Sequence, residues 1–301
     1  MCVLVGCSAK SICNFALRPQ EFIQPMEKTR KMVEARYPGI NAWYDSLRFA
    51  CVFRDTLISG EGGSRIHAVF AAKEKPEGAV LLIHGYGVNH IAMMHMARVY
   101  RDSLGFNVIL PDLQYHGMSG GNAVQMGWHD RLDARRWLDV AYNLWHDDFM
   151  IVHGVSMGAA TTMMLSGEPD LPEYVRGFVE DCGYTSVWDE FSYLRRRFLV
   201  SEKLLRKSSD CCERMYGWNF FQASSVDALA RCDRPMLFIH GKEDNFVPSD
   251  FAGKCYDAKV SGYKELWVVP DTPEHALAYH DHPDEYTARL RSFIKRIKES
   301  L

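Results

Sequence analysis

Gly154-Val155-Ser156-Met157-Gly158 places a serine hydroxyl between small neighbours, directly after the apolar run Phe149 to Val152 and directly before the helical run Ala159 to Ser166. A serine at such a strand-to-helix turn is held out in strained backbone, where larger neighbours would collide. Its hydroxyl is a weak nucleophile until a base takes the proton, and the base needs an acid to fix its tautomer. Two downstream segments supply both: His240-Gly-Lys-Glu-Asp244 follows the apolar run Pro235 to Ile239, and Pro270-Asp-Thr-Pro-Glu-His275 follows Glu265 to Val269. Ser156 as nucleophile, His275 as base and Asp244 as orienting acid would perform acyl transfer. The oxyanion formed by attack on a carbonyl needs two backbone donors. The Met157 N–H, at the positive end of the helix that follows the serine, is one. The Tyr86 N–H, in His84-Gly85-Tyr86-Gly87, is the other, and its ring is placed to line an acyl pocket.

Rival residues are present. Gly117-Met118-Ser119-Gly120-Gly121 has the same G-x-S-x-G spacing, which arises by chance in about one in ten chains of this length. No strand leads into it and no helix leaves it, so it reads as a glycine-rich loop. Asp181 and Glu243 compete with Asp244 as the acid. His280 and His282 lie deeper in the segment leading to the last helix, and His153 reads as a packed strand-end residue.

The elements that must position these residues alternate between short apolar runs and amphipathic stretches. Strands are expected at Ala79 to Ile83, Asn107 to Leu110, Phe149 to Val152, Val175 to Glu180, Pro235 to Ile239 and Glu265 to Val269. They are apolar throughout, as in a parallel sheet covered on both faces. Helices are expected at Pro25 to Arg36, Ile91 to Ser103, Asp130 to Trp145, Met157 to Ser166 and Asp284 to Lys298. Leu47 to Arg54 and Arg65 to Ala71, flanking Ser59-Gly-Glu-Gly-Gly63, read as an antiparallel edge hairpin. The expected fold is therefore α/β, a mostly parallel sheet of eight strands flanked by helices. An Arg-rich, aromatic helical insertion over about 183–228 reads as a lid. Residues 1–24 form an N-terminal segment and 25–301 the domain.

The chain has 301 residues, 47% apolar and 24% charged, with 35 Lys and Arg against 38 Asp and Glu. That excludes a disordered chain and gives no basic face for nucleic acid. Nine cysteines without a C-x-x-C pair exclude a zinc ribbon and point to free thiols in a reducing compartment, with the adjacent Cys211 and Cys212 as packing or surface residues. No metal or cofactor is needed for any step. As written the chain is cytoplasmic, since no run approaches a membrane span. Leu4-Val5-Gly6-Cys7 has the form of a lipoprotein cleavage box but lacks the leader before it. A longer native start would instead anchor the chain in the cell envelope, the one route to membrane contact.

Taken together, the segments His84 to Gly87, Pro111 to Ser119, His153 to Gly158, His240 to Pro248 and Pro273 to Ala276 resemble the α/β-hydrolase superfamily. The order Ser, Asp, His is the order found there. With Gly127-Trp-His-Asp-Arg-Leu-Asp133, the chain is most similar to bacterial serine hydrolases of the serine aminopeptidase and monoacylglycerol lipase group. Phe15-Ala-Leu-Arg-Pro19 resembles the stretch after a signal or membrane segment in that group. The resemblance implies an esterase-like activity on a small-molecule ester. A serine at 156, where a dehalogenase or epoxide hydrolase has a carboxylate, argues for acyl transfer. A peptidase or amidase on amide substrates, in which a lid carboxylate such as Glu190 or Glu202 would hold a substrate amine, an acyltransferase, and a non-catalytic binding protein of the same fold are the alternatives. Oligomeric state is left open.

Overall fold

The computed structural model describes residues 8–301; the Leu4 to Cys7 box lies outside the described residues. Eight strands form one sheet in the order β1-β2-β4-β3-β5-β6-β7-β8. They are β1 (Phe53–Ser59), β2 (Arg65–Ala71), β3 (Ala79–Ile83), β4 (Asn107–Asp112), β5 (Met150–Val155), β6 (Val175–Asp181), β7 (Met236–Gly241) and β8 (Lys264–Val269). β1 pairs antiparallel with β2, and β2 with β4; every pairing beyond is parallel.

The helices are α1 (Ala9–Leu17), α2 (Met26–Arg36), α3 (Ile40–Phe49), α4 (Met94–Arg98), α5 (Asp130–Trp145), α6 (Met157–Ser166), α7 (Val187–Leu194), α8 (Glu202–Tyr216), α9 (Ser225–Leu229), α10 (Asp250–Ala258), α11 (Ala278–Asp281) and α12 (Pro283–Glu299). The unbroken apolar strands do face cover on both sides. Leu81, Ile83 and Val152 pack with Trp137, Met163 and Met164 of α5 and α6. Val80, Leu82 and Ile151 pack on the other side with Tyr286, Leu290 and Phe293 of α12. No helix among the described residues is long and apolar enough to cross a membrane.

Two elements differ from expectation. Leu47 to Arg54 is not one strand: its first three residues end α3, a turn follows, and the edge strand is Phe53–Ser59. Ile40, Trp43, Tyr44 and Leu47 recur at helical spacing, and that stripe packs α3 onto the sheet through Ile40 and Tyr44. Ile91 to Ser103 is composite, a 3₁₀ turn at His90–Met93, α4, and a π turn over Val99–Ser103.

Between β6 and β7 the insertion folds as α7, α8 and α9, anchored by the fully buried Trp218 and Phe220. Trp218 Nε1 donates to Gln125 Oε1 at 3.0 Å. Helix α1 packs against α8 and buries Ile12, Cys13 and Leu17. The seven cysteines among the described residues are free thiols, and Cys211 and Cys212 are both buried.

Candidate active site

Parallel register brings the carboxyl ends of β5, β6, β7 and β8 to one edge, with Val155 opposite Asp181 and Gly241 opposite Val269. Ser156 follows β5 directly, with φ 58° and ψ −118°. A β-carbon on Gly158 would lie 2.1 Å from the Ile83 carbonyl oxygen, and one on Gly154 would lie 2.0 Å from that of Gly158. Glycine at both places lets α6 start hard against β3 and leaves the serine in its left-handed turn. The Ser156 N–H donates to the Asp181 carbonyl at 2.8 Å, which fixes the turn to β6.

The loops after β7 and β8 bring Asp244 and His275 to that serine. His275 Nε2 lies 2.7 Å from Ser156 Oγ, and His275 Nδ1 lies 2.6 Å from Asp244 Oδ2. The Phe246 and Val247 N–H groups donate to Asp244 Oδ1 at 2.9 and 3.1 Å. Burial pushes the Asp244 carboxyl up, but the His275 hydrogen bond and charge, the Phe246 N–H and His240 outweigh it, holding the group below the ordinary carboxylate range. An ionised Asp244 keeps the proton on Nδ1, so Nε2 is free to accept the serine hydrogen.

Gly85 lies against the serine, where an added β-carbon would sit 3.7 Å from Ser156 Oγ. The next N–H, that of Tyr86, and the Met157 N–H take no acceptor among the described residues. Two histidines that sequence reasoning passed over hold this loop. His84 Nε2 accepts from Leu113 N–H, and His116 Nε2 accepts from Gly87 N–H, each at 3.0 Å. Burial holds both below the ordinary histidine range, His116 at about 3, so each is a neutral ring with one donor and one acceptor nitrogen. Tyr86 Oη donates to the Ala16 carbonyl at 2.8 Å and ties the loop to α1. These ties join distant segments, which no local spacing announces.

The rival residues stand elsewhere. Ser119 Oγ donates to the Asp112 carbonyl at 2.6 Å and accepts from His67 N–H. Glu243 is exposed. His280 and His282 bond Asp281 and the Pro270 carbonyl. His153 is buried between the Tyr100 and Tyr286 hydroxyls. Asp181 borders the site, but its Oδ2 accepts from Tyr286 Oη at 2.8 Å, and burial pushes it up to about 6. The buried Cys182 thiol lies 4.0 Å from His275 Nε2, a neighbour the sequence did not point to.

Ser156 stands where two cavities meet. One, of about 560 Å³, runs under the lid and α1 and is walled by Phe15, Phe191, Leu194, Phe198 and Phe220 together with Tyr86 and Met157. The other, of about 410 Å³, is bounded by α2, α4 and α11, and it is the one that His275 lines. Both fall in the range of small-molecule sites.

No family model matches the chain. It is 25% identical to the uncharacterized Bacillus subtilis protein YqkD over 247 residues, covering 81% of this chain and 80% of that one. It is 26% identical to the Arabidopsis thaliana alpha/beta hydrolase domain-containing protein WAV2 over 234 residues, covering 70% and 68%. Among solved structures, the Pyrococcus furiosus esterase Pf2001 superposes with a TM-score of 0.67 at 20% identity, covering 83% of this chain and 95% of that one. The eight-stranded, mostly parallel sheet with its helical insertion, superposing on such structures over most of its length, gives this chain the α/β-hydrolase fold.

Proposed function

We propose that this chain hydrolyses carboxylic esters through an acyl-enzyme. Ser156 attacks the ester carbonyl as His275 Nε2 takes its proton, Asp244 holds and stabilises the imidazolium, and the Tyr86 and Met157 N–H groups receive the oxyanion. Collapse of the tetrahedral adduct breaks the bond to the alkoxy oxygen, to which His275 returns the proton. Water, deprotonated by the same imidazole, then releases the acid. The observation that carries this reading is the unbroken chain Ser156 Oγ, His275 Nε2, His275 Nδ1, Asp244 Oδ2, with links of 2.7 and 2.6 Å, at the junction of two cavities.

Proton return assigns the cavities. The leaving alcohol must lie within reach of His275 Nε2, so it belongs to the chamber that His275 lines. The acyl group takes the other, whose lining is largely aromatic and aliphatic. The acyl chain that fits is therefore apolar over most of its length.

Ser156→Ala should lower turnover of p-nitrophenyl esters on the order of a million-fold. Labelling by a fluorophosphonate probe should disappear in that variant. Ester turnover retained by Ser156→Ala would end this reading.

A further inference from the structure

Seven carboxyl side chains are buried among the described residues: Asp112, Asp130, Asp133, Glu180, Asp181, Glu190 and Asp244. Six of them hold at least one hydrogen bond. Asp112 accepts from two histidines, Asp130 from Gly127 N–H, Asp133 from Glu61 N–H, Glu180 from Gly183 N–H, Asp181 from Tyr286 and Asp244 from His275. Glu190 is the exception: it is 3% exposed, and neither of its oxygens meets a partner.

Glu190 stands in the first turn of α7, in the wall of the same apolar cavity that Ser156 and Met157 line. No nearby cation bonds Glu190, although Lys28 lines the same cavity and Arg195 Nε is buried without a partner. Arg195 reaches the Val200 carbonyl and Glu202, and Arg197 reaches the Asn245 carbonyl. A helix dipole rewards only the charged form of an acid in this turn. Burial opposes that charge, Asp244 adds to the effect and Arg197 resists it, so the carboxyl is pushed up to about 8 and is mostly neutral at pH 7. The neighbouring Asp189 bonds the Thr185 hydroxyl and needs no such account. A leucine at 190 would seal the wall without stranding a polar group, so the carboxyl is a cost to the free protein that a bound partner can offset.

We propose that Glu190 selects acyl chains that carry a hydroxyl group, which it meets inside the acyl cavity with its own O–H and C=O. This inference rests on the ester-hydrolase reading above. A neutral carboxylic acid offers one donor and one acceptor, as a hydroxyl does, so the pair forms without moving a charge into the apolar chamber. An ammonium group on the acyl chain would need the ionised carboxylate instead.

The test compares kcat/KM for p-nitrophenyl octanoate with that for a set of hydroxyoctanoate esters differing in hydroxyl position. The protein is the full chain, in its native form and as Glu190→Gln and Glu190→Leu. The native protein should favour at least one hydroxylated isomer roughly tenfold to a hundredfold, the discrimination one buried hydrogen bond supplies. Glu190→Gln, neutral and still both donor and acceptor, should keep most of that ratio, and Glu190→Leu should bring it to about one or below. A native ratio near one for every isomer, or a preference that survives Glu190→Leu, would overturn the inference. So would a preference for aminooctanoyl esters that Glu190→Gln abolishes, since that would assign the site to an ammonium. Fluorophosphonate labelling of Ser156 in all three proteins separates the two levels. Labelled variants with an unmoved ratio reject the role of Glu190 alone, whereas absence of labelling in the native protein rejects the hydrolase reading itself.

Discussion

At Asp244, replacing one oxygen by an amide nitrogen changes size hardly at all and hydrogen bonding decisively. Asparagine can turn its NH₂ toward His275 Nδ1, which then gives up its proton and leaves it on Nε2, facing a hydroxyl that now finds no base. Asp244→Asn should therefore lower ester turnover about ten-thousand-fold while leaving the fold intact, as steady-state kinetics and circular dichroism would report together. The same carboxyl sets a pH dependence of stability. Its folded value lies below its ordinary one, so its contribution is present above the unfolded value of about 3.9 and is lost as pH falls through the folded value. Thermal melts at pH 5 and pH 3 should show a larger drop for the native chain than for Asp244→Asn. An equal drop in both would show that Asp244 carries no such linkage. The meeting of Ser156, Asp244 and His275 was legible because each lies four to six residues beyond an apolar run with the pattern of a buried strand. Glu190 could be named only beside Glu202 as a lid carboxylate, and Cys182 not at all, because what marks them is burial and a missing or unexpected neighbour, and neither leaves a trace in local spacing.

Among the elements, the strands read most easily because a parallel strand covered on both faces is apolar at every position, as Ala79 to Ile83 is. α3 was harder: Leu47, Phe49, Cys51 and Phe53 alternate over a short window, and only the longer stretch from Ile40 displays the helical stripe. The turn between β5 and α6 is the most constrained element of the site. Its tolerance depends on how closely α6 approaches β3, which no sequence pattern reports. In Gly158→Ala the new methyl would meet two carbonyl oxygens, those of Ile83 and His84 at 2.1 and 2.7 Å. Backbone cannot give way there without moving α6 off the sheet. Unfolding in urea should show a loss of roughly 3 kcal/mol, the upper part of the range for overpacked sites, together with loss of activity as Met157 is displaced. A variant with native stability would mean that α6 can slide without cost.

Across the whole molecule, the cavity proposed to take the acyl group is assembled from parts that are remote in sequence, which is why its shape was not readable beforehand. The sheet contributes Ser156, the insertion contributes Phe191 and Phe198, and α1 contributes Ile12 and Phe15. Phe15 packs edge-on against Phe22 and Phe198, each at 5.5 Å between ring centres, so one ring joins α1, the connection to α2 and the lid. It is only half-buried, so truncating it removes chamber wall more than core. The effect should fall on substrates long enough to reach that wall. An acetyl group stays near Ser156, whereas a decanoyl chain runs out along the aromatic lining and loses apolar contact when the ring is gone. Losing contact worth about 1–2 kcal/mol, roughly that of two buried methylene groups, predicts that Phe15→Ala lowers the ratio of decanoyl to acetyl ester kcat/KM about tenfold. Should that ratio stay unchanged while both esters slow equally, α1 would be a buttress of the lid, and the acyl chain would lie elsewhere.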